Sequence, residues 1–347
     1  MNILLTGATG FVGKQLTIRL LREGHTVYAL VRNERKADNL IKSLPTELQS
    51  NLFIMEGNIT KDQVGVSRET LGVLKDTIDS VYHIAAYLSF DDSEKESTFH
   101  INVNGTRNIL ELAKAIKTKK FYHVSTAYTL GHQLYASEKL HPINNRFVNY
   151  YEESKCHAEH LVFDYKDYFH VSIFRPSIIV GDSKTGEAET TFALYGVIRS
   201  FEIMKKRMQR KKETLDGKIK FLCAQHTAQN LVPVDYVINV LMAALEHSRS
   251  DKIYHITNSN PPTNQMVFEF LKAGLDFDQV ELVPTNYDGE LTEQEMKFNE
   301  PMKVFRKYLE KTLTFDDSNT KQLLQESNLE PLDMNEDVLR TIISAGR

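Results

Sequence analysis

The segment ILLTGATGFVGKQL, Ile3 to Leu16, puts Gly7, Gly10 and Gly13 between a short apolar run and an amphipathic stretch. A strand that turns through glycines into a helix constrains a whole architecture. The first two glycines let the backbone turn tightly and approach a pyrophosphate, and the third lets helix and strand pack closely. Free N–H groups at the helix N-terminus then face the anion. Thr9, Phe11 and Val12 lie in the same loop and complete the candidate dinucleotide cradle. A second candidate strand, Thr26 to Val31, ends roughly twenty residues further on, which is the context such a motif requires.

The first half of the chain repeats this alternation. Candidate strands at Asn2 to Leu5, Thr26 to Val31, Leu52 to Glu56, Ser80 to Ile84, Phe121 to Ser125 and Val171 to Arg175 are separated by helical patterns such as Gly10 to Arg22 and Ser97 to Ile116. Parallel strands need such crossovers, so the expected fold is α/β, a Rossmann-type doubly wound parallel sheet. After about Gly181 the pattern loosens into helices over Glu189 to Met208 and Val234 to His247, a short strand over Lys252 to Thr257, and C-terminal helices to about Ser344. At roughly 100 to 200 residues per domain, the 347 residues allow two domains. The expected division is a dinucleotide domain over 1–181 carrying the catalytic residues and a smaller, mainly helical substrate lobe over 182–347, with 228–260 returning to the first domain.

Composition excludes several classes. With 41% hydrophobic and 25% charged residues the chain is neither disordered nor collagen-like. Lys plus Arg total 42 against 46 Asp plus Glu, a net charge of −4 that leaves no overall basic field for nucleic acid. Cys156 and Cys223 fall outside any metal-ligand spacing and read as ordinary thiols of a reducing compartment, so no metal is expected. The apolar segments are shorter than the roughly 20 residues a spanning helix needs. MNILLTGATG lacks the pattern of a signal peptide, and the expectation is a soluble, cytoplasmic protein without a membrane span.

The second strand ends in VYALVRNERK, with no Asp or Glu for a ribose 2′-hydroxyl. Arg32 stands there instead, supported by Arg35 or Lys36, and its guanidinium suits a 2′-phosphate; NADP(H) is therefore expected over NAD(H). Asn58 and Ile59 follow the third strand and are placed at the adenine edge. Ala85 and Ala86, after the fourth, are small enough to lie against the cofactor, while His83 within that strand reads as a packed core histidine.

Tyr151 and Lys155 are four apart in VNYYEESKCHAEHL and share one helix face. A phenol titrates near 10, and an adjacent ammonium together with a bound nicotinamide cation is expected to lower that value toward useful proton exchange. Ser125 and Thr126 end the strand FYHVST, where a hydroxyl, Thr126 by choice, can hydrogen-bond a reacting carbonyl. Asn102 lies upstream in NVNGT.

The order glycine loop, Asn102, Ser125/Thr126, Tyr151, Lys155 resembles the Asn-Ser/Thr-Tyr-Lys tetrad of the short-chain dehydrogenases/reductases. TGATGFVG, HIAA, NVNGT, YxxxK, FRPSIIVG and LVPVDYV resemble the extended branch of that superfamily over roughly Met1 to Thr257, and HVSTAY, FRPSIIVGDSKTG with LVPVDYV, and IYHITNSNPPT look most like the thioester reductases and fatty acyl-CoA reductases. That resemblance implies NADPH-dependent reduction of an acyl thioester, or of an aldehyde or ketone. Tyr151 would be the proton donor and Lys155 the anchor of the nicotinamide ribose, with Arg175, Pro176 and Ser177 near the nicotinamide and substrate mouth. A thioester would arrive on coenzyme A or a separate carrier protein, and the resemblance permits a homodimer. Two other readings stay open: an NAD-dependent nucleotide-sugar epimerase or dehydratase, against which Arg32 speaks, and a non-catalytic NADP(H)-sensing protein, which has no need of Thr126, Tyr151 and Lys155 together. The basic run Lys205, Lys206, Arg207, Arg210, Lys211 and Lys212 reads either as a solvated helix end or as a landing site for coenzyme A phosphates or an acidic carrier surface. Phe192, Tyr195 and Phe201 are either core or substrate pocket.

Overall fold

Ile3, Leu4 and Leu5 are all fully buried, although alternate residues of a strand face opposite sides. That happens where helices cover both faces of a parallel sheet. The computed structural model of the chain describes residues 1–190, 194–211, 218–300, 303 and 306–346. Its central sheet contains β1 (Asn2–Thr6), β2 (Thr26–Val31), β3 (Leu52–Glu56), β4 (Ser80–His83), β5 (Lys120–Val124), β6 (His170–Pro176) and β7 (Lys252–Ile256), in the spatial order β7-β6-β5-β4-β1-β2-β3. Every neighbouring pair is parallel. The order reverses between β1 and β4, and at that switch point the loops leaving the two strands part and open a crevice at their carboxyl ends.

Two units make up the chain: Met1–Ser177 with Val237–Thr257 and Phe315–Pro331, and Ile178–Tyr236 with Asn258–Thr314 and Leu332–Arg347. The chain thus re-enters the first unit twice. Patterning anticipates one return, over 228–260; the second carries the helix Ser318–Glu326, which packs on β7. Periodicity shows that a helix has an apolar face but not which sheet that face will cover.

The first unit has its core around Leu4, Leu30, Val81, Leu110, Phe121 and Ile173, packed between sheet and helices. Fully burying each such side chain is worth about 1.5–3 kcal/mol. One helix departs from expectation. The stretch read as continuous from Ser97 to Ile116 is Lys95–Phe99, a π turn at His100–Asn104, and α2 (Gly105–Ala115). A π turn inserts one residue without disturbing the apolar periodicity enough to be seen, and such bulges collect at functional sites.

In the second unit the helix starting after residue 193 runs Leu194–Lys211; Val234–His247 also forms as expected, and from Val237 onward it belongs to the first unit. Beside the helices stand two parallel two-stranded ladders that the patterning does not reveal, Ile178–Val180 with Leu231–Pro233 and Ile219–Leu222 with Val280–Val283. Phe201 belongs to the core here, against Phe298 at 5.0 Å and Phe221 at 5.3 Å between ring centroids. Tyr195 is buried as well, its hydroxyl accepting the Gly181 N–H at 2.7 Å. Both are packing residues; Phe192 lies outside the described residues. Of the basic run, Lys205 donates to the Leu275 carbonyl, and Lys206, Arg207 and Arg210 are exposed; Lys212 lies outside the described residues.

Candidate active site

Gly7 adopts φ +79°, in the left-handed region where glycine alone is at ease. A Cβ there would stand 2.7 Å from the Ala85 nitrogen, so the glycine is what lets the β1 loop close on the end of β4. A Cβ on Gly13 would meet the Gly7 carbonyl oxygen at 2.1 Å, which makes this glycine the packing contact between α1 (Phe11–Arg22) and the loop. Gly10 caps α1 with no side-chain hydrogen bond, and no acidic residue occupies the first turn. The helix N-terminus therefore offers its N–H groups and partial positive charge to an anion. A cradle that any Cβ would fill, at an uncapped helix start, fits a pyrophosphate.

Around this cradle stand the other expected cofactor contacts. Arg32 and Arg35 are exposed after β2 and make no ion pair among the described residues. Asn33 between them caps the helix Glu34–Lys42 by accepting the Lys36 N–H at 3.0 Å. Asn58 is half-buried; its N–H donates to the Val64 carbonyl at 2.7 Å and its side-chain oxygen accepts from Thr60. Gln63, Val64 and Gly65 have φ of 48°, 53° and 72°, a left-handed run that delivers the Val64 carbonyl to Asn58. Holding a β-branched residue there costs on the order of 1–2 kcal/mol, and the complete burial of Val64 offsets it. Ile59 is buried against Gly105, and its carbonyl accepts from the Asn108 side chain at 2.7 Å. Ala85 is half-buried and Ala86 exposed.

His83 is a packing residue, as expected. Thr106 Oγ1 spends its hydrogen on the Asn102 carbonyl at 2.6 Å, so His83 Nε2 must donate to Thr106 Oγ1 at 3.0 Å. Its Nδ1 then accepts from Thr6 Oγ1 at 2.7 Å, while Thr6 takes the Ala85 N–H at 3.2 Å. Both ring nitrogens are satisfied and burial lowers the imidazole to about 3. This histidine ties β1, β4 and α2 together, with its one ring hydrogen committed to Thr106.

The catalytic candidates lie on β5 and on α3 (Tyr150–Phe163), which packs against the 3-10 turn Ala127–Leu130. Asn149 starts α3, accepting the Glu152 N–H at 3.0 Å, and Glu152 returns a bond to the Val148 N–H at 3.1 Å. The helix thus begins where Tyr151 falls in the first turn and Lys155 one turn later. Thr126 is buried and caps the 3-10 turn through the Tyr128 N–H at 3.4 Å, an arrangement that leaves its own hydrogen uncommitted among the described residues. Ser125 is buried too, its N–H donating to the Phe174 carbonyl at 2.7 Å. Lys155 is 2% exposed; it donates to the Val124 carbonyl at 2.8 Å and lies 3.4 Å from His123 Nε2. Desolvation lowers this amine to about 8.

Three expectations change at this point. Burial, with the nearby Glu152 carboxylate, pushes the Tyr151 phenol above its ordinary value rather than below it. The Lys155 amine, expected to lower it, is turned to β5 and bonded to Val124. Asn102, read as catalytic, has its amide engaged within the protein: it grips the Tyr87 backbone at 2.7 and 3.0 Å and donates to Ser154 Oγ at 3.0 Å. It positions α3 from the π turn. Arg175, placed near the nicotinamide by resemblance, is fully buried in a bidentate pair with Glu159 at 2.8 and 2.6 Å and also donates to the Ser137 and Lys139 carbonyls. Pro176 ends β6 and Ser177 follows it, with its Oγ buried without a hydrogen-bond partner. Such an orphaned hydroxyl at the carboxyl edge suits a ligand contact.

Ser154, His123 and Glu159 escaped the sequence reading. Each neighbours a motif residue on the same element, and a deciding contact comes from a segment distant in the chain: Asn102 for Ser154, Lys155 for His123 and Arg175 for Glu159. Cys156 and Cys223 are buried free thiols raised to about 12, inert as expected. Among the described residues no cluster could hold a metal and no helix is long and apolar enough to cross a membrane.

A family described as male sterility protein matches residues 5–241. Fatty acyl-CoA reductase 1 of Xenopus laevis is 27% identical over 317 residues, 79% of this chain and 58% of that protein, and its Homo sapiens counterpart is 26% identical over 312 residues, 77% and 57%. The match spans under three-fifths of the length of these relatives. Among solved structures, the terminal R domain from the myxalamid PKS-NRPS pathway aligns at TM-score 0.79, with 24% identity over 99% of this chain and 90% of that one. UDP-glucuronic acid 4-epimerase from Bacillus cereus, solved with NAD, aligns at 0.70, with 21% identity over 100% and 96%. At such identities these structures show a shared fold.

Proposed function

The chain belongs to the male sterility protein family, on the fatty acyl-CoA reductase-like branch of the extended short-chain dehydrogenases/reductases, and from that premise we propose that it reduces an acyl thioester with NADPH, Tyr151 donating the proton. The coarser statement, an oxidoreductase of this superfamily with a nicotinamide dinucleotide, is the premise; cofactor preference, substrate and residue roles are the proposal. The observation that carries it is Lys155, buried with a free ammonium hydrogen on the helix that presents Tyr151, beside the uncommitted hydroxyl of Thr126.

When bound, the dinucleotide supplies a hydride to the carbonyl carbon. Thr126 and Tyr151 hydrogen-bond the carbonyl oxygen and stabilise the charge that develops there. The Tyr151 phenol, kept protonated by burial, hands its proton to that oxygen. The resulting hemithioacetal collapses to an aldehyde and a thiol. Lys155 would hold the ribose of the dinucleotide through its remaining ammonium hydrogen. Ser177 Oγ, buried without a hydrogen-bond partner just after β6, would be available to the bound ligand.

The test is NADPH oxidation by the purified chain on adding a long-chain acyl-CoA, with release of free coenzyme A in step. A flat trace across acyl chain lengths would discard the thioester reading. Arg32 carries the cofactor preference: Arg32→Ala is expected to weaken NADPH binding by about 10- to 100-fold, the worth of a charge-assisted hydrogen bond, and to leave NADH binding nearly unchanged. Isothermal titration reads both constants. Equal losses for the two cofactors would remove the argument for a 2′-phosphate.

A further inference from the structure

We propose that His123 is a positioning residue for Lys155: its Nε2 takes one hydrogen of the buried amine, the Val124 carbonyl takes a second, and the third is left for the cofactor. The inference rests on the reading of Lys155 as the ribose anchor.

His123 is fully buried on β5, two residues before the candidate Ser125/Thr126 pair. Its Nε2 lies 3.4 Å from Lys155 Nζ, which itself donates to Val124 O at 2.8 Å. An ammonium is donor only, so Nε2 must present a lone pair, and the ring hydrogen must sit on Nδ1. Nδ1 is buried with no partner. An unpaired buried N–H is costly, and structures retain one where it serves another contact. Here the ammonium facing Nε2 imposes this tautomer, and the orphaned Nδ1–H is the cost of keeping the lone pair on Lys155. Among the described residues the amine has no third protein partner. A flexible four-carbon side chain with two of its three hydrogens fixed has its remaining donor direction fixed as well.

The groups around the amine leave His123 as its nearest tunable contact. From β4 comes His83, whose ring is 5.3 Å from that of His123 and whose two nitrogens are spent on Thr6 and Thr106. From its own helix comes Glu159, already in a bidentate pair with Arg175 of β6, and Tyr151 one turn before. Burial and the Lys155 charge hold His123 well below its ordinary value, so it stays a neutral acceptor across the working range. A neutral acceptor favours the ammonium, partly countering the desolvation that brings Lys155 to about 8.

The experiment compares His123→Gln, whose amide oxygen reaches the Nε2 position, with His123→Asn, whose amide ends at the Nδ1 position. Both are read in the full chain by NMR titration of lysine-labelled protein, with Lys155→Arg assigning the signal. The alkaline limb of kcat/KM for acyl-CoA reduction is read in parallel. Asn is expected to lower the Lys155 titration and the alkaline limb together by about one unit, the order of one charge-assisted hydrogen bond, and Gln to stay near wild type. Identical titration of the two variants, or a shift in Gln and none in Asn, would overturn the proposal. Should wild type fail to turn over thioesters while the Asn and Gln titrations still differ, the thioester reading falls and the His123 contact stands.

Discussion

Tyr151→Phe is expected to lower kcat for thioester reduction by about 10²- to 10⁴-fold, the usual worth of a positioned proton donor, while cofactor affinity and melting temperature stay near wild type. The phenol makes no hydrogen bond to the described residues, so its removal leaves no buried partner unpaired, and the ring keeps its contact with Phe90 at 6.2 Å. Reduction needs the protonated phenol, and burial beside Glu152 keeps it in that form at neutral pH. The pH dependence should therefore come from Lys155 rather than from Tyr151. As pH rises through about 8 the ammonium is lost, the hold on the ribose proposed for it weakens, and the rate falls. Steady-state NADPH oxidation between pH 6 and 10, roughly the span from protonated lysine to free phenol, reads the profile, and titration of Tyr151→Phe with NADPH reads binding. A mutant within threefold of wild type, roughly the scatter of a neutral change, would remove Tyr151 from the chemistry.

The largest stability effect is expected at the pair Arg175 and Glu159, both fully buried. Glu159→Gln strands a guanidinium with no counter-charge inside the first unit, and the expected loss is about 3–5 kcal/mol in urea unfolding. Replacing both partners, Arg175→Met with Glu159→Leu, should cost less than the sum of the single changes, because it removes the unpaired charge. The double change still gives up the bonds from Arg175 to the Ser137 and Lys139 carbonyls, so it will not reach wild type. Desolvation opposes ionisation of Glu159, but Arg175 outweighs it and holds the carboxyl below its ordinary value. A depressed carboxyl contributes stability above its unfolded value and loses it as pH falls through the folded one, so this pair should contribute to acid unfolding. A Glu159→Gln loss under about 1 kcal/mol would mean that water reaches the guanidinium.

Motif spacing carried much of the site because it is local. Gly7, Gly10 and Gly13 are close in sequence and their demands are on backbone space, which Cβ contacts of 2.7 Å at Gly7 and 2.1 Å at Gly13 express directly. Tyr151 and Lys155 are one helical turn apart, and a helix of any length brings them to one face. Seven strand positions were legible for the same reason: a short β-branched run between turn signals is a local pattern.

What remained hidden is what distant segments supply to one another. Arg175 reads from its motif as a residue of the site mouth, yet Glu159, sixteen positions earlier, claims it for the core. Asn102 reads as catalytic, and only the π turn shows that its amide reaches Tyr87 and Ser154. Phe201 reads first as core, but only Phe221, Phe268 and Phe298 closing around it take it out of a pocket lining. The upward push on the Tyr151 phenol is not readable from spacing, which gives proximity along a helix, whereas the push comes from burial, which the whole sheet and its covering helices produce. By itself the sequence determined the glycine cradle, the alternation of strand and helix, and the order of hydroxyl, phenol and amine, since each depends on neighbours along the chain. The tertiary structure decided which charges are paired, which hydroxyls are free and where Lys155 points, since hydrogen bonds and desolvation are set by what meets across the sheet.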